Sequence, residues 1–101
     1  MPRMNRGNFP RWTAPRSYEL LWEYWDGEHI LYTPLSGETH LLNDMAARAV
    51  GLLGEQPLAA RELAEQLGNA FDVVVDSEFM EIVESTLAQL DQLGLIVPLE
   101  P

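Results

Sequence analysis

The chain of 101 residues contains no cysteine and no lysine. Without cysteine there is no disulfide, no thiolate ligand for zinc or an iron–sulfur cluster and no thiol nucleophile, so packing alone has to hold the fold. Cations are scarce as well: six arginines face 16 acidic residues, for a formal charge of −10. Four of those arginines, Arg3, Arg6, Arg11 and Arg16, lie in the first sixteen residues, where no acid occurs, so the remainder sets 16 acids against Arg48 and Arg61, or −14. A surface of that sign repels phosphate backbones and anionic lipid, which argues against nucleic-acid and membrane partners. No apolar run approaches the ~18 residues of a membrane span, and the basic leader lacks the roughly 7–15 apolar residues of a secretory signal. The expectation is a soluble cytoplasmic protein.

What the chain does have is a hydrophobic fraction of 47 % with 22 % charged residues, enough for one small domain with a thin core. Residues 1–16, rich in Pro, Arg, Asn and Gly, read as a flexible basic arm. A second reading folds Trp12 and the arginines back onto the acidic body or onto a partner. Residues 17–101 then form the folded domain.

From Tyr18 the pattern becomes aromatic and β-branched alternation broken by two turn dipeptides. Asp26-Gly27 separates Tyr18–Trp25 from Glu28–Leu35, and Ser36-Gly37 separates Leu35 from Glu38–Leu42. Asp-Gly supplies the positive φ values of a two-residue hairpin turn, so the prediction is a three-stranded antiparallel meander. With two-residue turns at both places, Trp25 falls opposite Glu28, Trp22 opposite Leu31, Leu31 opposite Leu42 and Thr33 opposite His40. Tyr18, Leu20, Trp22, Tyr24, Leu31, Leu35 and Leu42 then share a core-facing side with His29, Thr33 and His40. Glu19, Leu21, Glu23, Trp25, Glu28, Ile30, Tyr32, Thr39 and Leu41 lie on the other.

Three helices follow. Asn43 is placed to cap Met45–Leu53, which ends at Gly54. After Pro57, the spacing of Leu58, Leu63 and Leu67 predicts a second helix stopping at Gly68, without a Ser or Thr cap. Residues 69–75 link onward, and Asp76 caps a third, longer helix whose Phe79, Ile82, Val83, Leu87, Leu90 and Leu93 form an apolar stripe ending at Gly94. Leu95-Ile96-Val97 can pack back onto the body. The fold class is therefore α+β, a winged helix-turn-helix-like arrangement with its strands placed first.

A helix-turn-helix that reads DNA presents basic and amide side chains to the groove. The third helix instead carries Asp76, Glu78, Glu81, Glu84 and Asp91 and no cation, which excludes that use. His29 and His40 share a sheet face, but the counted register puts them about 13 Å apart at ~3.3 Å per residue, too far for one metal ion bonded at ~2 Å. Both read as partly buried structural histidines. None of the four serines has a nucleophile's context, and no phosphate loop or paired-acid motif occurs, so neither catalysis nor a cofactor is expected.

Interaction chemistry remains. The third strand, Glu38–Leu42, is a sheet edge whose outward backbone groups can pair with an added peptide strand, or be protected by shortness and twist. Physics alone leaves both open. The string Trp25-Asp26-Gly27-Glu28-His29, followed by Tyr32-x-Pro34-x-Ser36-Gly37-Glu38-Thr39-His40-Leu41-Leu42-Asn43 and Ala46-Ala47, resembles the PqqD-like peptide chaperones. It is most similar to the branch associated with an HPr-kinase-related system. Pro57-Leu58, Leu63-Ala64-x-x-Leu67 and Leu90-x-x-Leu93-Gly94-Leu95-Ile96-x-Pro98 follow in the same order, so the likeness spans about residues 18–98. It implies a non-catalytic domain that takes the leader of a ribosomally made precursor peptide as an added strand and presents it to a modifying enzyme. By position, the implied contacts are Thr39, His40, Leu41 and Leu42 on the strand and Phe79, Ile82, Val83 and Thr86 on the helix. The alternative is a structural or regulatory winged-helix module that binds a protein through Trp22, Trp25 and Tyr32. Either fits a monomer or a homodimer.

Overall fold

The structure, a computed structural model, describes residues 10–14, 20–33 and 37–99. Its elements run β1 (Arg11–Thr13), β2 (Leu21–Trp25), β3 (Glu28–Thr33), β4 (Glu38–Leu42), α1 (Asp44–Glu55), β5 (Leu58–Ala59), α2 (Ala60–Phe71), α3 (Ser77–Gln92) and β6 (Val97–Leu99). The α+β class and the antiparallel meander followed by three helices are as the sequence predicts.

In the meander β2-β3-β4, Asp26 and Gly27 both take positive φ, 55° and 82°, which makes the tight turn that sets Trp25 opposite Glu28 and Trp22 opposite Leu31. The second turn is longer than expected. Thr33 pairs with Glu38, so four residues rather than two make the connection, and Gly37 at φ 76° donates its N–H to the Thr33 carbonyl at 2.8 Å. This corrects the register: His40 stands opposite Leu31 and Leu42 opposite His29. A shift of two residues leaves every side chain on its original face, which is why the face assignment survives the error. Leu31 and Leu42 are buried on the inner side, and Leu21, Trp25, Tyr32 and Leu41 are exposed on the outer. The placements of Tyr18, Glu19 and Leu35 lie outside the described residues. The inner side is unevenly covered, because α1 packs against β3 and β4 and leaves Trp22 and Tyr24 of β2 open to solvent.

Each helix has a local reason for its ends. Asn43 caps α1 through its side-chain oxygen, which accepts the Ala46 N–H at 2.8 Å. At α2 the Ala59 position has no side-chain acceptor, and the Glu62 carboxylate instead takes the Ala59 N–H at 2.9 Å. Asp76 accepts the Phe79 N–H at 2.8 Å to open α3. That helix closes with Gly94 at φ 78°, whose N–H reaches the Asp91 carbonyl while the Leu95 N–H reaches that of Leu90, both at 3.0 Å, the paired bonds of a Schellman ending. Two expected stops are corrected: α1 runs through Gly54 to Glu55, and α2 runs through Gly68 to Phe71 before Asp72 turns left-handed at φ 59°, ψ 49°. Gly68 is needed for contact rather than termination. A Cβ there would sit 2.7 Å from the Val75 Cγ2 and 2.9 Å from the Val73 carbonyl oxygen.

A second small sheet, β5-β1-β6, is the largest departure from expectation. Residues 11–13, assigned by the sequence to a flexible arm, form its central strand, with Trp12 opposite Leu58 on one side and Pro98 on the other. Among the described residues β6 pairs with β1 alone, and an edge strand is where a proline such as Pro98 is tolerated. Trp12 packs against the core, Ala14 is buried, and the Arg11 guanidinium lies 3.6 Å from the Glu62 carboxylate, so the folded-back reading describes this stretch. Residues 1–9 and 15–16 of the arm lie outside the described residues. The winged-helix comparison holds loosely: α1, β5, α2, α3 and β6 follow in that order, but the centre of the small sheet comes from the N-terminal segment.

One core joins the layers. Leu31 and Leu42 from the sheet meet Val50 and Leu53 of α1, Leu63 and Leu67 of α2, and Phe79, Val83, Leu87 and Leu90 of α3, with Ile96 closing it. Among the described residues no polar or charged side chain is buried there, and no helix is long and apolar enough to cross a membrane.

Candidate functional site

Strand β4 carries four of the predicted site residues, Thr39 to Leu42. Among the described residues it has β3 as its only strand partner, because β6, the segment able to pack back, pairs with β1. In an antiparallel pair alternate residues turn their N–H and C=O groups away from the partner, so an edge strand of this length offers a short ladder to an incoming chain. Thr39 and Leu41 point from it to the outer face, and Leu41 is 62 % exposed. His40 and Leu42 point inward, where Leu42 is part of the core.

The four implied helix residues divide. Phe79 and Val83 are 4 % and 0 % exposed and belong to the core, so at these two positions the hydrophobic stripe closes the domain. Ile82 is 47 % exposed, and Thr86 is half-buried with its hydroxyl donating to the Ile82 carbonyl at 2.9 Å. Only these two reach the surface. Around them Glu78, Glu81 and Glu84 are exposed, so this side of α3 is apolar at Ile82 and acidic on its flanks.

The two histidines serve separate contacts. His29 Nε2 lies 2.7 Å from an Asp44 carboxylate oxygen at the start of α1, and its ring meets Tyr24 edge-on with centroids 4.9 Å apart. His40 Nε2, nearly buried, lies 3.5 Å from a Glu38 carboxylate oxygen, an ion-pair distance without hydrogen-bond geometry. The corrected register brings the two histidines two residues closer along the sheet than counted, yet each faces its own carboxylate. Among the described residues no group of three or more His, Cys, Asp and Glu gathers in a way that could hold a metal ion.

An open cavity of about 420 Å³ lies at the other side of the sheet, lined by Trp22, His29, Asp44, Ala47, Arg48, Gly51 and Phe71. Sequence reasoning missed it because its walls come from four separate elements. The exposed inner-face Trp22 on an edge strand was the available signal.

The family model described as coenzyme PQQ synthesis protein D (PqqD) matches residues 28–96, from the start of β3 to the end of the core. Comparisons with curated proteins and with solved structures find no match.

Proposed function

The chain belongs to the PqqD family, and from that premise we propose that it captures a precursor peptide as an added strand on β4 and presents it to a modifying enzyme. The family is one of non-catalytic accessory proteins that bind the precursor peptide and the enzyme acting on it. The observation that carries the reading for this chain is that, among the described residues, β4 pairs on one side only. Main-chain bonds from Thr39 to Leu42 supply affinity, with His40 and Leu42 holding the strand to the body from inside. Ile82 and Thr86 supply the helix contact, and the exposed glutamates beside them favour a peptide with basic residues. The partner enzyme is one related to HPr kinase, on the strength of the Trp25–His29 and Tyr32–Asn43 strings.

Amide NMR of the full chain, titrated with a synthetic amphipathic peptide that carries basic residues, tests this. Shifts at residues 38–42 and around Ile82 and Thr86 support it; shifts confined to the 26–28 turn overturn it. Leu41→Pro removes an N–H and kinks the edge, so it abolishes binding, while Leu41→Lys keeps the backbone and retains it. A folded Leu41→Pro variant that still binds also overturns strand addition.

A second reading has its own support. Leu21, Trp25, Tyr32 and Leu41 expose a large apolar area on the outer sheet face, which suits a protein partner. Trp22 lies on the opposite face, so the three aromatic residues of that alternative do not form one surface. A dimer joined through β4 would favour this reading over peptide capture.

A further inference from the structure

The cavity beneath β2 has a feature that internal packing does not explain. Gly51 lies in the interior of α1, where glycine is less favourable than alanine because it adds backbone freedom to the unfolded chain and no packing to the helix. The close approach that accounts for Gly68 is missing here: a Cβ on Gly51 would meet no atom within 4 Å. The space it leaves is part of the cavity, so the backbone of α1 is bared to whatever enters.

The remaining walls define the entrant. Trp22 and Phe71 are aromatic and Ala47 is small, so the interior takes a flat apolar group. At about 420 Å³ the space falls toward the lower end of small-molecule sites, suited to one side chain with its own backbone rather than to a nucleotide cofactor. The polar groups are not equivalent. Asp44 is engaged by His29 at 2.7 Å, whereas Arg48 has no ion pair among the described residues. It is one of only two cations after residue 16, in a stretch with 16 acids. A cation left without a carboxylate in so acidic a chain, at the lip of an aromatic pocket, is complementary to an anionic group on the entrant.

We propose that this cavity binds an aromatic amino-acid side chain bearing a nearby carboxylate, the C-terminal residue of a partner polypeptide, with the ring laid against α1 at Gly51 and the carboxylate on Arg48. The walls come from β2, β3, α1 and α2, and no residue of β4 lines them, so failure of this proposal would leave peptide capture untouched.

The test uses the full chain and two probes, N-acetyl-tryptophan with a free carboxylate and its neutral amide, followed by the Gly51 amide and Trp22 indole NMR signals. The acid should bind with a Kd on the order of 1 mM and the amide roughly tenfold more weakly. Arg48→Gln should erase that difference. Gly51→Ala should weaken both probes while raising the melting temperature, a combination that a purely structural glycine would not give. No saturable shift, equal binding of acid and amide to the unaltered chain, or full binding by Gly51→Ala would overturn the proposal. If only a carboxylate placed on an internal glutamate beside the ring binds, the C-terminal assignment is overturned as well.

Discussion

Ala14 donates its backbone N–H to the carbonyl of Leu53 at 3.1 Å, so the segment that forms β1 supplies a donor to the last turn of α1. The final carbonyls of a helix have no partner within it. Here the Thr13 hydroxyl joins at 3.3 Å on the same oxygen, and the Gln56 N–H serves Leu52. The N-terminal strand therefore both closes a helix end and fills the middle of the small sheet.

Trp12→Ala should consequently destabilise the domain by about 2 kcal/mol, since a partly buried indole loses its packing between β5, β6 and the core. Urea unfolding followed by circular dichroism measures it. An unchanged midpoint would mean that β1 contributes nothing to the folded unit.

The cap of α1 offers a second, local prediction. Asn43→Ala removes the acceptor of the Ala46 N–H and should cost about 1 kcal/mol, lowering the melting temperature by roughly 4–8 °C for a domain of this size. Asn43→Asp, which keeps an acceptor, should retain most of it.

Gly68→Ala should destabilise by roughly 1–3 kcal/mol, because its Cβ must push against Val75 and the Val73 backbone. Thermal melting compared with that of Gly51→Ala, which should move the other way, separates a glycine required by contact from one that is not.

Asp72→Gly should raise stability by up to about 1 kcal/mol, since Asp72 holds a left-handed conformation that glycine adopts without steric cost. A fall in the unfolding midpoint would show that the aspartate side chain contributes more at this helix end than its backbone strain removes.

The divided helix stripe can be checked by pairing two substitutions. Phe79→Ala should cost about 3–5 kcal/mol of stability, as truncation of a buried aromatic does. Ile82→Ala, at a half-exposed position, should change stability by less than about 1 kcal/mol and weaken peptide binding in the NMR titration.

These contrasts also mark where sequence reading succeeds. The Asp26-Gly27 turn was legible because its dihedral requirement is written in two residues, and Asn43 and Asp76 were legible as caps because capping is local chemistry. The second turn was not, since Ser36-Gly37 fixes the residue needing positive φ without fixing how many neighbours join it. β1 and β5, of three and two residues, are too short to show any period, and both exist only through partners distant in the chain. Phe79 and Ile82 share one apolar stripe, and only the packing of the domain decides which of them is left at the surface.

The position of β1 also has a consequence for synthesis. It is translated before either of its neighbours, and β6 emerges only after α3 is complete. Trp12 therefore waits on the nascent chain, apolar and unsatisfied, until nearly everything else has been made. The β2–β3–β4 meander and the early helices can form meanwhile from nearby residues, so closure of the small sheet is a late, long-range event in folding.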